Sequence, residues 1–389
     1  SGAELSEMDD DQVRAVLARG EIIFSRVAPE HKLRIVSLLK EMGEIVAVTG
    51  DGVNDAPALK RADIGIAMGI RGNDVAKEAA HMILVDDNFG SIVAAIEEGR
   101  AVFENIRRFM AYIFNSNPQE MYPYILWMLF PNVPLAMTVM GVLAVDVGTD
   151  LIPAMGLGAE PPEKGIMDRL PRPRGEKLLS LKFVLRSYFV QGSLLAFSCF
   201  ATYLYAGWAL GFWRPGLGLA AMPASPAGLR FDQASPAYLQ SLTAYFFPTV
   251  TTQIANVLSK RSWKSSLFSR EFLHPLYRRD LLERLARWRP RSSGGKTLGF
   301  PLAPGLSRLL ERHTIVLNFV SNPLIDLGIL FELLLCHLFF YTPLSRLYFF
   351  APVPWHVYLF AFHGTLLLLG FEEAKKYYRR KGRRLEFLG

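Results

Sequence analysis

The sequence predicts two parts: an α/β domain with a doubly wound parallel sheet, then an all-α membrane domain of six transmembrane helices. Three observations carry this. Over residues 1–103, short apolar runs alternate with polar helical patterns, whereas over 104–389 apolar stretches of membrane-spanning length dominate. Of the 389 residues, 51% are hydrophobic and 27 are Phe, with a mean hydropathy of +0.20. That is too apolar for a disordered or wholly soluble chain. Finally, basic residues gather in alternate connecting loops.

The chain opens SGAELSEMDDDQ, acidic and polar, with no signal-peptide pattern. It lacks an initial Met and begins mid-pattern, which reads as a segment of something longer. Strands are expected at Ile22–Phe24, Ile45–Val48, Ile64–Ala67 and Met82–Val85, with a helix at Lys32–Met42. In such sheets ligands sit at the carboxyl ends of the strands. Thr49-Gly50-Asp51-Gly52-Val53-Asn54-Asp55 falls there. Glu97–Phe114 reads as one continuous helical stalk.

A helix needs about 20 apolar residues to cross about 30 Å of hydrocarbon. Six stretches qualify, near 108–130, 135–157, 183–212, 238–258, 315–340 and 354–372. Pro131 and Pro134 end the first hairpin, Pro323 and Pro343 bracket the fifth span, and Pro352 and Pro354 precede the sixth. Loop 158–182 holds Lys164, Arg169, Arg172, Arg174, Lys177 and Lys182; the insertion 259–313 holds thirteen Lys or Arg, and the tail from 375 holds seven. The opposite loops hold none at 131–134, Arg214 and Arg230 at 213–237, and Arg346 at 341–353. Positive charge marks the inner side, so an integral, multi-pass protein with both termini cytoplasmic is expected. The net charge of +7 then follows from topology, and no nucleic-acid partner is expected. Glu271–Trp288 mixes leucines and arginines as a basic amphipathic helix on the inner membrane face. Cys199 and Cys336 sit in apolar runs and read as packing residues.

The turn Thr49–Asp55 suits phosphate chemistry. Gly50 and Gly52 permit a tight turn and close backbone approach. Asp51 and Asp55 place two carboxylates at one strand end, a hard oxygen site for Mg²⁺, and Asn54 can hydrogen-bond a phosphoryl oxygen. In the membrane part, Glu120, Asp146 and Asp150 each cost about 2.5–3.5 kcal/mol at a span centre unless ions or partners offset them. Asn117 and Glu120 are three apart and Asp146 and Asp150 four apart, so each pair is expected on one helix face. With Ser116 and Thr149 they form an oxygen-only cation site, to which Pro118 and Pro153 can add freed carbonyls. Glu332 in the fifth span is either a further ligand or a buried packing acid.

Thr49-Gly50-Asp51-Gly52-Val53-Asn54-Asp55-Ala56-Pro57-Ala58-Leu59-Lys60 resembles the hinge motif of the P-type cation-transporting ATPases, members of the haloacid dehalogenase superfamily. Ala28-Pro29-Glu30-His31-Lys32, Ala62–Gly69 and Asp86-Asp87-Asn88-Phe89 continue the resemblance, which then runs through the spans. It implies a partial haloacid-dehalogenase-like (Rossmann-like) phosphorylation domain with stalk over 1–103, and six membrane helices over 104–389. Asp51 and Asp55 would hold Mg²⁺ within the turn of Thr49, Gly50 and Gly52. Asn54 would support the phosphate, and Lys32 would contact an aspartyl phosphate. ATP would be the substrate; the lipid bilayer, transported cations and a missing N-terminal part would be the partners.

Asn115–Glu120 is similar to the family's fifth-span ion site, and Asp146-Val147-Gly148-Thr149-Asp150 resembles the sixth-span motif of the sodium/potassium class. Calcium pumps usually have Asn where this chain has Asp146, and the gastric proton pump has Lys in place of Ser116. Gln253 matches the sodium/potassium class in the eighth span, while Asn256 replaces its Asp, and Pro118 is shifted by one. Neither D-K-T-G-T, the phosphorylated motif, nor T-G-E-S occurs in the 389 residues. The expectation is therefore the C-terminal part of a type II ATP-driven pump, sodium/potassium-like and inactive alone. The alternatives are a calcium pump, or a non-catalytic regulatory membrane fragment with a degenerate phosphatase-like domain.

Overall fold

The computed structural model describes residues 1–130, 134–173, 175–211, 235–263, 265–266, 268, 318 and 321–381. It divides into two compact units, Ser1–Gly99 with Leu170–Glu176, and Arg100–Arg169 with Lys177–Gly389. The turn at 131–133, loop 213–237 up to residue 234, most of the insertion 259–313 with its expected helix Glu271–Trp288, and the tail beyond 381 lie outside the described residues.

The first unit begins with α1 (Gly2–Glu7) and α2 (Asp10–Leu17), the latter capped by Asp9, whose side chain accepts from Gln12 N. Pro29 opens α3 (Pro29–Glu41), because its fixed φ suits a first turn and its missing N–H is not needed there. Strand β1 (Ala47–Gly50), α4 (Ala56–Arg61), β2 (Ile64–Met68), α5 (Asp74–Ala79) and β3 (Met82–Leu84) follow. The strands are parallel in the order β1-β2-β3, with Val48 opposite Gly65 and Ala67 opposite Ile83. Val36, Val46, Val48, Leu59, Ala67 and Ala76 form the core between helices and sheet. The expected strand Ile22–Phe24 is absent. Ile22 and Phe24 instead pack on Leu5, Val13, Leu17 and Leu38, while Ile23 is 95% exposed. Their alternation serves a helix-packed cluster rather than a ladder. The strand expected at Ile45–Val48 begins two residues later and takes in Thr49 and Gly50.

In chain order comes the long helix α6 (Gly90–Leu129), which belongs to the second unit from Arg100 onward and keeps Pro118 and Pro123 inside it. Next come α7 (Val139–Gly158) and α8 (Leu181–Ala209). Each contains a π-helical stretch, Ala144–Asp150 in α7 and Ser187–Gly192 in α8. Among the described residues, helices α9 (Pro236–Lys260), α10 (Pro323–Tyr341), α11 (Leu344–Tyr348) and α12 (Trp355–Arg380) follow. Four of these, α7, α8, α10 and α12, are long and apolar enough to cross a membrane. The stretches 108–130 and 238–258 are helical, inside α6 and α9, but too polar to qualify on composition. Their polarity is turned inward: Asn115, Ser116 and Gln119 on α6, and Thr249, Thr252, Gln253 and Asn256 on α9, are all buried. Helix α9 packs against both α8 and α12 and is buried along nearly its whole length. At Gly192 an added Cβ would stand 2.4 Å from Pro118 Cγ, so only glycine lets α8 approach α6 there.

Aromatic residues fill one end of this unit, where Phe246 meets Phe339, Phe340 and Phe350 edge-on or tilted. Cys199 and Cys336 are buried and unpaired with each other, consistent with packing roles. Several basic residues counted above as loop or tail charges are buried instead. Arg261 donates to Glu160 Oε1 at 2.5 Å and to Asn318 O and Ser321 Oγ, and Asn322 donates to the same Glu160 oxygen at 2.9 Å. Asn105 donates to the Glu160 carbonyl at 2.6 Å, which ties the segment after α7 to α6. Glu160→Ala would leave the Arg261 guanidinium buried without its carboxylate, at a cost of about 3–5 kcal/mol. Thermal unfolding of the detergent-purified chain should therefore show a large loss for Glu160→Ala; a melting temperature equal to wild type would remove this pair from the account of stability.

Candidate functional site

In the first unit, the turn after β1 is organised by Asp55. Its Oδ1 takes a salt bridge from Lys32 Nζ at 2.8 Å, and its Oδ2 accepts from Asp51 N at 3.2 Å and Gly52 N at 3.3 Å. Lys32 Nζ also donates to Thr49 O at 2.9 Å, so α3 is fastened to the end of β1. A Cβ on residue 50 would stand 2.4 Å from Asp55 Cβ, which is why Gly50 ends the strand. The loop is held from the far side by Asn73 N, which donates to Asp51 O at 2.8 Å. Asn54 is exposed on the 3₁₀ turn Val53–Asp55.

This changes the reading of Asp55. Both of its oxygens are engaged by Lys32 and the turn, so as placed it anchors the site rather than offering a metal ligand. Asp51 is exposed, and among the described residues its carboxylate has no hydrogen bond. Magnesium is commonly held by one or two carboxylates together with substrate phosphate and water. One exposed carboxylate beside an ammonium fits that mode, although no group of three His, Cys, Asp or Glu side chains suited to a metal occurs among the described residues.

Partial burial works against the charged form of Asp55, but the Lys32 ammonium and the backbone donors of Gly52 and Asp51 outweigh it and hold its carboxyl below the usual value. A depressed folded value means that the stabilisation is present above the unfolded value, about 3.9, and is lost as pH falls through the folded one. Asp55→Asn is accordingly expected to lower stability at pH 7 by about 1 kcal/mol, a deficit that shrinks as pH falls below the unfolded value of about 3.9. Denaturant titrations at pH 7 and near pH 3 check this; an equal deficit at the two would show that charge is not the cause.

In the second unit, the predicted cation ligands are partly brought together. Glu120, Asp150 and Glu332 are all buried, from α6, α7 and α10. Asp150 Oδ1 accepts from Tyr112 OH at 3.0 Å, and Ser116 reaches Asp150 as well. Asp146 lies within hydrogen-bonding reach of Glu120 but is exposed, at the rim of the group. Among the described residues Glu120 Oε1, Asp150 Oδ2 and both Glu332 oxygens are buried without a hydrogen-bond partner.

Other predicted ligands turn elsewhere. Asn117 donates to Tyr188 OH at 2.7 Å, so it does not share a direction with Glu120. Thr149 Oγ1 donates back to Val145 O at 3.0 Å. Asp146 and Asp150 lie in one π-helical stretch and both stand near Glu120, but the second is buried and the first is exposed. Gln253 and Asn256 belong to an amide ladder. Gln119 Nε2 donates to Thr252 Oγ1, Gln253 Nε2 to Gln119 Oε1, and Asn256 Nδ2 to Tyr112 O and Gln253 Oε1, at 2.7–3.3 Å. Tyr112 was missed by the motif reading, and Asn115 and Gln119 stood in the fifth-span motif without a role of their own. Their signal is spacing: 112, 115, 116, 119 and 120 line one face of α6.

Comparison with known proteins follows the same division. The haloacid dehalogenase-like hydrolase family matches residues 33–96, and the family described as Cation transporting ATPase, C-terminus, matches 134–277. The chain is 39% identical over 304 residues to the sodium/potassium-transporting ATPase subunit alpha-4 of Rattus norvegicus, covering 72% of this chain and 29% of the relative. It is 39% identical over 307 residues to subunit alpha-2 of Gallus gallus (73% and 29%), and 38% over 289 residues to subunit alpha-3 of Gallus gallus (69% and 28%). The chain thus spans under a third of the length of these relatives.

Proposed function

The chain belongs to the P-type cation-transporting ATPases, whose C-terminal part it matches, and from that premise we propose that it forms the ion-binding and metal-binding end of an ATP-driven sodium/potassium-like pump. The observation that carries the ion site is the group Glu120, Asp150 and Glu332: buried carboxylates from three helices, with four oxygens left unbonded among the described residues. Buried acids on helices of membrane length are costly unless a cation or a proton offsets them. Asp146 at the rim is placed to meet an arriving ion. The spans expected at 108–130 and 238–258 are read as inner helices of a six-span domain, and the alternate basic loops place both termini in the cytoplasm.

At the other end, Asp51 with substrate phosphate and water would hold Mg²⁺, which supplies charge neutralisation at the phosphoryl group. Lys32 stands as a second, fixed cation there, and Asp55 holds its ammonium in place. Asn54, exposed on the same turn, would donate to a phosphoryl oxygen. Helix α6 is the continuous element that would carry the coupling, since Glu120 lies on it.

Two measurements test this. The purified 389-residue chain with ATP and Mg²⁺ is expected to form no acid-stable phosphoenzyme, because the D-K-T-G-T aspartate is not in it. Joined to the N-terminal part of such a pump, it is expected to phosphorylate when Na⁺ is added. Phosphate incorporation by the isolated chain above a heat-killed control would sink the first expectation, and Na⁺-independent phosphorylation of the joined protein the second.

A further inference from the structure

Lys260 closes α9, and its side chain is 99% buried, with a relative exposure of 1%. It donates to Glu372 Oε1 and to Gln191 Oε1, both at 3.0 Å. The same carboxylate takes Lys375 Nζ at 2.5 Å, while Lys376 pairs with Glu373 at 3.3 Å. Two ammonium groups therefore share the Glu372 carboxylate. The surplus positive charge faces the amide ladder. The Asn115 side chain links the two: in one setting its nitrogen donates to Asn256 Oδ1 at 3.0 Å, and turned over, its oxygen accepts from Lys260 Nζ at 3.2 Å.

The polar interior of the second unit thus has two unlike halves. On the acid side, Glu120, Asp150 and Glu332 keep unbonded oxygens. On the ladder side, Gln119, Gln253, Asn256 and Asn115 bond to one another, to Thr252 and to Tyr112 O, and the row ends at a fixed ammonium. Lys260 is four residues from Asn256 on α9, about one turn or 5.4 Å along the axis.

We propose that Lys260 is a tethered cation of the membrane site: it occupies the ladder half electrostatically, so that this half takes up no transported cation and the chain binds fewer ions than its polar interior could hold. This rests on the cation site proposed above. A unit charge about 6 Å away, at an effective dielectric near 20, weakens binding of a monovalent cation by about 100-fold. The ladder amides supply oxygens enough for a monovalent ion once that repulsion is removed, because each amide can turn to present its carbonyl. Among the described residues Lys260 bonds to Glu372 and Gln191 and not to the carboxylates of the acid half, so it acts on how many ions are held and not on whether the first is held.

The test is equilibrium binding of ²²Na⁺ and ⁴⁵Ca²⁺ to the 389-residue chain in nanodiscs, comparing wild type with Lys260→Gln, Lys260→Met and Lys260→Arg. Both neutral variants are expected to bind about one further Na⁺ per chain, at a site about 100-fold weaker or undetectable in wild type, and Lys260→Arg is expected to match wild type. Methionine cannot ligate Na⁺ well, so agreement between Gln and Met separates charge removal from a ligand gained. Unchanged stoichiometry in both neutral variants overturns the proposal. So does their failure to fold while Lys260→Arg remains intact, which would make the ammonium structural. Wild-type chain that binds neither ion defeats the underlying cation-site reading, a result distinguishable from an equal count in wild type and variants.

Discussion

Asp51→Ala, made in the chain joined to the N-terminal part of such a pump, is expected to abolish phosphoenzyme formation from ATP. The turn after β1 offers only one carboxylate that is not already bonded, because Asp55 is taken up by Lys32 and by the N–H groups of Asp51 and Gly52. Removing Asp51 therefore removes the one acidic ligand available to Mg²⁺ at this strand end. Metal stabilisation of transferring phosphoryl charge is worth several kcal/mol, and each 1.36 kcal/mol is about tenfold in rate, so a loss of orders of magnitude follows. Stability should hardly change, since the Asp51 side chain is exposed and its backbone bond to Asn73 survives the substitution. Asp55→Asn should behave the opposite way: a measurable loss of stability, with phosphorylation weakened through the displaced Lys32 rather than extinguished. The check is acid-stable ³²P incorporation alongside thermal unfolding. Wild-type phosphorylation in Asp51→Ala would mean that the metal ligand has been assigned to the wrong residue.

That contrast between Asp51 and Asp55 shows where motif reading reached its limit. The heptapeptide Thr49–Asp55 announced a phosphate turn, since a buried apolar run ending in glycines and acids has few other uses. It could not say which carboxylate the fold would consume, because that depends on Lys32, seventeen residues before Thr49 and on another helix. The strand at Ile22–Phe24 failed for a related reason. Three consecutive apolar residues fit a strand and a packed loop equally, and the contacts with Leu5 and Val13 decided between them. In the second unit, span lengths were legible from hydropathy for α7, α8, α10 and α12. The stretches 108–130 and 238–258 were also read as spans from their apolar length, but α6 and α9 fall short on hydropathy because their buried faces are polar. The sequence carries no sign of the π-helical stretch that holds Asp146 and Asp150, nor of the burial of one and the exposure of the other. Lys260 and Glu372 were hidden by their position: a charge at a span end reads as topology, and its burial is visible only once α8, α9 and α12 are packed.

Glu120→Gln is expected to raise the Na⁺ needed for phosphorylation of the joined protein far more than Asp146→Asn. Both acids are within reach of each other, but Glu120 is buried with an unbonded oxygen, whereas Asp146 is exposed at the rim. A cation held against Glu120 is screened little by solvent, so losing that charge costs more than losing a wet one. We expect half-saturating Na⁺ to rise by about 30-fold or more for Glu120→Gln, and by only a few-fold for Asp146→Asn, with tenfold corresponding to about 1.4 kcal/mol. Neither change touches the turn at Asp51, so phosphorylation from inorganic phosphate in ion-free buffer should persist in both. The acid group alone does not choose the ion, because Ca²⁺ also takes six to eight oxygens from carboxylates and carbonyls. The same titration therefore carries a calcium arm. If micromolar Ca²⁺ triggers phosphorylation and Na⁺ does nothing, the calcium reading replaces the sodium/potassium one. If Asp146→Asn proves the more damaging of the two, the ion sits at the rim and the buried acids serve packing.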